Sequence, residues 1–247
     1  MKATNININE IEKKKEIELI IKPMPCRRPP FRKQNVYETT GLHKLDDINF
    51  LLLIENILPK PILINYFKHA LNVKRYKTSM PYGYSMPPRH QICYTMEDQE
   101  IVHPTQKYGE IMTTYPTHVL DLIPYFMNRI KEYIPNNPYV ILSTGLDILY
   151  SPQFPRGGSI AAHSDYLGDP DRKWGLIIIY SIGQTRYIRI RRKDDKTYFN
   201  VQMNNNSLVC MYGESFQQLY THQVDKLYSN EEVGCRISLN MRFMKDE

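Results

Sequence analysis

Apolar and polar residues alternate with a period of two along CRISLNMRFM, residues 235–244. Successive side chains of a β-strand point to opposite faces. Cys235, Ile237, Leu239, Met241 and Phe243 therefore share one face, and Arg236, Ser238, Asn240 and Arg242 the other. From Tyr139 onward seven other short β-rich runs precede this one: YVILS, DILYS, SIAAH, GLIIIYSI, RYIRIR, TYFNVQM and SLVCMYG, with turn residues between them. Strands so closely spaced, without intervening helices, predict an antiparallel sandwich or barrel.

The N-terminal half has a different pattern. INFLLLIENILPKPILINYFKHALN, residues 48–72, predicts a strand or turn near Asn49 to Ile54 and, past a proline-broken turn, a helix from Pro61 to Leu71. Residues 76–118 scatter Tyr76, Tyr82, Tyr84, Tyr94, Tyr108 and Tyr115 among prolines and glycines, which predicts loops and short strands. THVLDLIPYFMNRIKEYI, residues 117–134, predicts one amphipathic helix with Thr117 as its N-cap. Residues 1–40 are rich in lysine, then in proline and arginine (KPMPCRRPPFRK), and are expected to form an arm. The expected organisation is an arm over 1–40, an N-terminal helical part over 41–138 and a β core over 139–247.

Composition narrows the class. The chain has 247 residues, 42% of them hydrophobic, enough for one core plus an arm. No apolar run approaches the ~20 residues of a membrane span and the N-terminus is polar, so neither a span nor a secretory signal is expected. Cys26, Cys93, Cys210 and Cys235 form no CxxC pair and read as reduced thiols, so the protein is expected to be intracellular, cytoplasmic or nuclear; a monomer is expected. A net charge of +6 with pI near 9.0 is compatible with a polyanionic partner.

The candidate chemistry begins at GGSIAAHSDY, residues 157–166. By the same period of two, His163 and Asp165 point to one side of a strand end. Alone, the pair is compatible with an ordinary polar loop. His222 lies 57 residues beyond Asp165 on a β-rich stretch, where a neighbouring strand can bring it alongside. Two imidazoles and one carboxylate with open positions opposite suit non-haem Fe(II) handling oxygen. On the last strand, two arginines facing a barrel interior require an anion, because buried charges need partners, and the guanidinium fork suits a carboxylate.

Together, His163-x-Asp165, His222 and Arg236-x5-Arg242 resemble the AlkB family of Fe(II)- and 2-oxoglutarate-dependent dioxygenases. RHQICY (89–94), ILSTGLDILYSP (141–152), IIIYSIGQT (177–185) and SLVCMYGES (207–215) match in family order, so the resemblance covers about residues 50–244. It implies an α+β fold: a double-stranded β-helix (jelly roll) core with N-terminal helices packed on one sheet. It implies that His163, Asp165 and His222 ligate Fe(II) and form the catalytic centre. Arg236 would grip the distal carboxylate of 2-oxoglutarate, Arg242 would sit near the metal-side carboxylate and Asp165, and Ser238 and Tyr150 would also reach the co-substrate.

Three departures stand out. Ile148-Leu149-Tyr150 replaces the family's common Asn-x-Tyr, the loop from Tyr150 to His163 is a few residues long for the family, and Leu167 stands where an acidic residue is frequent, with Asp169 nearby.

The implied reaction is oxidative demethylation of alkylated bases in DNA or RNA, single-stranded or flipped out of the stack. Tyr82 and Tyr84 would belong to a nucleotide-facing lid, and Arg189 and Arg191, sharing a face with Tyr187, to a phosphate-binding strip. Two alternatives are the same chemistry on a protein, lipid or small molecule, and a catalytically silent nucleic-acid-binding module of the same fold. The complete triad and both arginines argue against the latter.

Overall fold

The computed structural model describes residues 35–77, 90–96, 112–152, 157–165, 174–227 and 233–246. Two β-sheets make up most of it. The smaller contains β1 (Asn35–Tyr37), β11 (Tyr198–Met203), β10 (Arg186–Arg192), β13 (Tyr220–Val224) and β8 (Ile160–His163), in that spatial order. The larger runs β2 (Gly41–Lys44), β3 (Phe50–Glu55), β12 (Ser207–Tyr212), β9 (Leu176–Gly183), β14 (Arg236–Lys245), β7 (Tyr139–Tyr150), β5 (His90–Thr95) and β4 (Tyr76–Lys77), with β6 (Met112–Thr114) beside β5. Apart from two short parallel pairs, β1 with β11 and β5 with β6, neighbouring strands are antiparallel. This is the expected jelly roll.

At β9 the large sheet is buried on both faces, each by a different layer. Ile177 and Ile179 of β9 share a core with Ile188, Ile190, Phe199 and Val201 of the small sheet. Ile178, Tyr180 and Ile182 of the same strand pack with Leu63, Tyr66 and Phe67 of α1 (Lys60–Asn72) and Phe126 and Ile130 of α3 (Ile123–Lys131). A strand covered twice has no reason to alternate in polarity, so β9 reads as an unbroken apolar run. Strand β14, by contrast, keeps its alternation, because one of its faces lines a cleft.

Three local expectations change. The stretch 117–134 is two helices, α2 (Thr117–Leu120) and α3, with a turn at 121–122; Pro116, not Thr117, occupies the cap position of the first. The interruption falls before Pro124, which sits in the first turn of α3, where a missing N–H costs nothing. YVILS and DILYS are the two ends of one twelve-residue strand, β7, joined through Gly145. A side chain there would meet the Tyr115 hydroxyl at 2.5 Å, so this glycine permits close packing instead of making a turn. Within the expected arm, residues 35–37 form β1, paired with β11; the rest of that segment up to 34 lies outside the described residues, as do Tyr82 and Tyr84. No described helix is long and apolar enough to cross a membrane.

Candidate metal and co-substrate site

The cleft opens between the two sheets. It is lined by His163, Asp165 and His222 at one end and by Tyr150 and Arg236 among others, with Leu146, Ile148, Ile177, Ile179 and Ile188 as apolar walls.

Strand pairing brings the three donors together. His163, the last residue of β8, stands in register opposite His222 of β13. Their ring centroids are 4.2 Å apart. Asp165 follows two residues later, its Oδ1 3.5 Å from His163 Nε2 and its Oδ2 4.0 Å from His222 Nε2. One ligand atom from each of the three lies within 4.8 Å of the others.

Each donor is in the state a metal needs. His163 Nδ1 donates to the Ala161 carbonyl at 2.9 Å, which turns Nε2 toward Asp165. Burial, reinforced by His163, pulls the His222 imidazole down to about 3, so it is neutral. Burial opposes ionisation of Asp165, but the Arg242 guanidinium foremost outweighs it, and the carboxyl is held well below its ordinary range. Arg242 contacts Oδ2 through Nε at 3.1 Å and Nη2 at 2.9 Å, leaving Oδ1 toward His163.

A feature absent from the sequence reading fixes the Asp165 backbone. Its N–H donates to Gln217 Oε1 at 2.9 Å. Gln217 is buried on α4 (Phe216–Leu219), the turn leading directly into β13 and His222. Lys193 Nζ donates to the Gln217 carbonyl at 3.0 Å and Ser164 Oγ at 3.3 Å, tying the segment between the two ligands to the same turn. Nothing local marks Gln217, because its role arises from a contact 52 residues away.

At the other end of the cleft Arg236 is fully buried. Its Nε donates to Ser181 Oγ at 2.9 Å and Nη2 to Ser238 Oγ at 3.3 Å. It lies 4.9 Å from the centre of the Tyr150 ring, its partner in the β14–β7 register. Arg236 Nη1 and the Tyr150 hydroxyl are buried without a hydrogen-bond partner. No carboxylate pairs with Arg236 among the described residues, and burial lowers its guanidinium to about 10. A carboxylate would satisfy both orphaned groups, so the residues present fit a dicarboxylic co-substrate.

Asn240, between Ser238 and Arg242 on the same face, also lines the cleft and is held by the Leu146 carbonyl at 3.0 Å. Ile148, in register with Ser238, makes the wall apolar where the resemblance leads one to expect an amide.

Arg189 and Arg191 are not at the cleft. On β10 it is Ile188 and Ile190 that face the inter-sheet core. Arg189 forms an ion pair with Asp225 at 2.7 Å, and both guanidiniums lie within 6 Å of the Tyr198 ring, at 5.8 and 5.6 Å. Tyr187 is buried, its hydroxyl donating to Gln202 at 2.6 Å.

The fold and the comparisons with known proteins agree. No curated protein matches the sequence. The solved structure of OsALKBH1 superposes with a TM-score of 0.52 at 15% identity, covering 78% of this chain and 97% of that one, a likeness of fold. The family model described as the 2OG-Fe(II) oxygenase superfamily matches residues 50–242, from the first residue of β3 to Arg242. With Fe(II) as its metal and 2-oxoglutarate as its co-substrate, this chain belongs to the 2OG-Fe(II) oxygenase superfamily and is a 2-oxoglutarate-dependent dioxygenase.

Proposed function

We propose that the protein oxidatively dealkylates N-alkylated bases in DNA or RNA, with His163, Asp165 and His222 holding Fe(II) and Arg236, Tyr150, Ser238 and Arg242 receiving 2-oxoglutarate. The observation that carries the site assignment is the pairing of three metal donors within 4.8 Å at one end of a cleft with a buried, carboxylate-free arginine at the other. Bound iron supplies the oxygen chemistry: 2-oxoglutarate is converted to succinate and carbon dioxide, and one oxygen atom enters a substrate C–H bond. An N-methyl group so hydroxylated breaks down to formaldehyde and the free nitrogen.

The chain's own residues bind and orient. Arg242 holds Asp165 ionised, Gln217 sets the position of its backbone, and His163 is angled by the Ala161 carbonyl. The isoleucine walls make the space between the two ends largely apolar. His163 is the most open of the three, its side chain 39% exposed, so substrate reaches the metal from that side.

The nucleic-acid half of the reading is supported by the AlkB-like motif set, the fold shared with OsALKBH1 and the basic balance of the chain. The second reading, the same chemistry on a protein, lipid or small molecule, is favoured by one observation: the basic strip on β10 is engaged internally by Asp225 and Tyr198. Succinate release with methylated single-stranded oligonucleotides, against unmethylated controls and with Fe(II) added or withheld, decides between them. Methyl-dependent succinate supports dealkylation; its absence with every methylated base transfers the assignment to the second reading.

A further inference from the structure

Arg186, the first residue of β10, is 2% exposed and as deeply buried as Arg236. By the period of two it shares the inward face of β10 with Ile188 and Ile190, which places it at the Tyr150 end of the cleft. Its Nη2 donates to the Gly158 carbonyl at 2.7 Å and also to the Asp225 carbonyl. Gly158 lies on the loop between β7 and β8, and Asp225 immediately follows β13. One guanidinium thus fastens the loop that starts at Tyr150 to the strand that carries His222. The fit is close: Gly157 has φ +75°, and a Cβ there would come within 2.9 Å of Arg186 Nη1.

The same guanidinium lies 5.5 Å from the centre of the Tyr150 ring, while Arg236 lies 4.9 Å from it. Two buried cations beside one ring raise the positive potential where the Tyr150 hydroxyl and Arg236 Nη1 are left without partners. Cation–ring contacts also restrict the ring itself. A staple that served the loop alone would need no contact with Tyr150.

We propose that Arg186 is a positioning residue for the distal carboxylate of 2-oxoglutarate, acting through the Tyr150 ring while the Gly158 and Asp225 carbonyls hold its guanidinium in place. The assignment rests on the co-substrate reading of Arg236.

The test uses full-length protein loaded with Mn(II), which binds the same donors without turnover, and two probes: 2-oxoglutarate and 2-oxobutyrate, which lacks the distal carboxylate. Calorimetric dissociation constants are measured for the parent, Arg186→Met and Arg186→Lys. Arg186→Met should weaken 2-oxoglutarate about tenfold, the scale of one charge-assisted contact, while 2-oxobutyrate and Mn(II) affinities stay within twofold. Arg186→Lys, which keeps the charge but not the fork, should fall between parent and methionine variant for 2-oxoglutarate alone. Equal weakening of both probes, or of neither, overturns the proposal and leaves Arg186 a structural staple. Should the methionine variant fail to fold by thermal unfolding, the lysine variant's ratio between the two probes decides by the same criterion. A parent protein that does not prefer 2-oxoglutarate over 2-oxobutyrate would instead refute the Arg236 reading.

Discussion

Two buried arginines stand on opposite faces of the same sheet region, and their surroundings differ. Arg75 meets Asp147 of β7 through Nε at 2.8 Å and Nη2 at 3.0 Å, with side chains 4% and 1% exposed. Asp147 sits in register with Leu239, whose side chain belongs to the helix-covered core. One strand position along β7 is Ile148 on the cleft side, and Tyr150 and Arg236 close that side's register. Arg75 has its fork filled by a carboxylate of the chain; Arg236 has a serine pair, an orphaned Nη1 and no described carboxylate. A buried pair that is internally matched leaves a stranded charge when either partner is removed, whereas a charge left unmatched in a cleft is a place for a ligand.

The largest expected effect is at the cleft end that holds the metal. His163→Ala, Asp165→Ala and His222→Ala should each abolish 2-oxoglutarate turnover while the chain stays folded, because the jelly roll is held by the two apolar cores flanking the large sheet. Any of the three retaining the parent rate removes that residue from the ligand set. Next comes the matched pair. Asp147→Asn leaves the Arg75 charge uncompensated and should cost about 3–5 kcal/mol in denaturant unfolding, with 2-oxoglutarate affinity of the surviving folded protein unchanged. A cost under about 1 kcal/mol, the scale of an exposed pair, would show that the Arg75–Asp147 pair is solvated and the comparison misplaced.

Smaller effects sharpen the picture. Gln217→Leu removes the acceptor for the Asp165 N–H and should weaken Mn(II) binding by about tenfold, in the range of outer contacts to metal ligands, with Gln217→Glu restoring most of it. Equal Mn(II) affinity in parent and leucine variant would leave Gln217 without a role at the metal. The smallest effect is at the outer face. Arg189→Ala with Arg191→Ala should lower the salt dependence of oligonucleotide binding by at most about two counterion units, and by less than that if Asp225 already satisfies Arg189. An unaltered slope would place phosphate contacts elsewhere on the chain.

How much of this was legible in the sequence follows the same division between faces. The cleft face of β14 was readable because Arg236, Ser238, Asn240 and Arg242 interrupt an apolar strand at every second position. His163 and Asp165 were readable through their spacing, and His222 only in company, since its register with His163 is set by strand pairing across 59 residues. Arg186 and Gln217 gave no signal: each acts through backbone groups far along the chain, at Gly158 and Asp225 for one and Asp165 for the other. Gly145 looked like a break because local chemistry associates glycine with turns, whereas the Tyr115 ring packed against it is a tertiary fact. Pro124 was visible, yet the amphipathic pattern around it outweighed its tendency to end the preceding helix.

The most direct test sets the two arginines against each other. Thermal unfolding of Arg75→Met and Arg236→Met is recorded with and without Mn(II) plus 2-oxoglutarate. The contrast between the matched and the unmatched arginine requires that Arg75→Met melt well below the parent but keep the parent's ligand-induced rise, because its partner Asp147 is stranded while the cleft is intact. Arg236→Met should melt at or above the parent without ligand, since an unmatched buried charge has been removed, and should lose the ligand-induced rise. An Arg236→Met protein that melts as low as Arg75→Met and still gains the full rise from 2-oxoglutarate would contradict it.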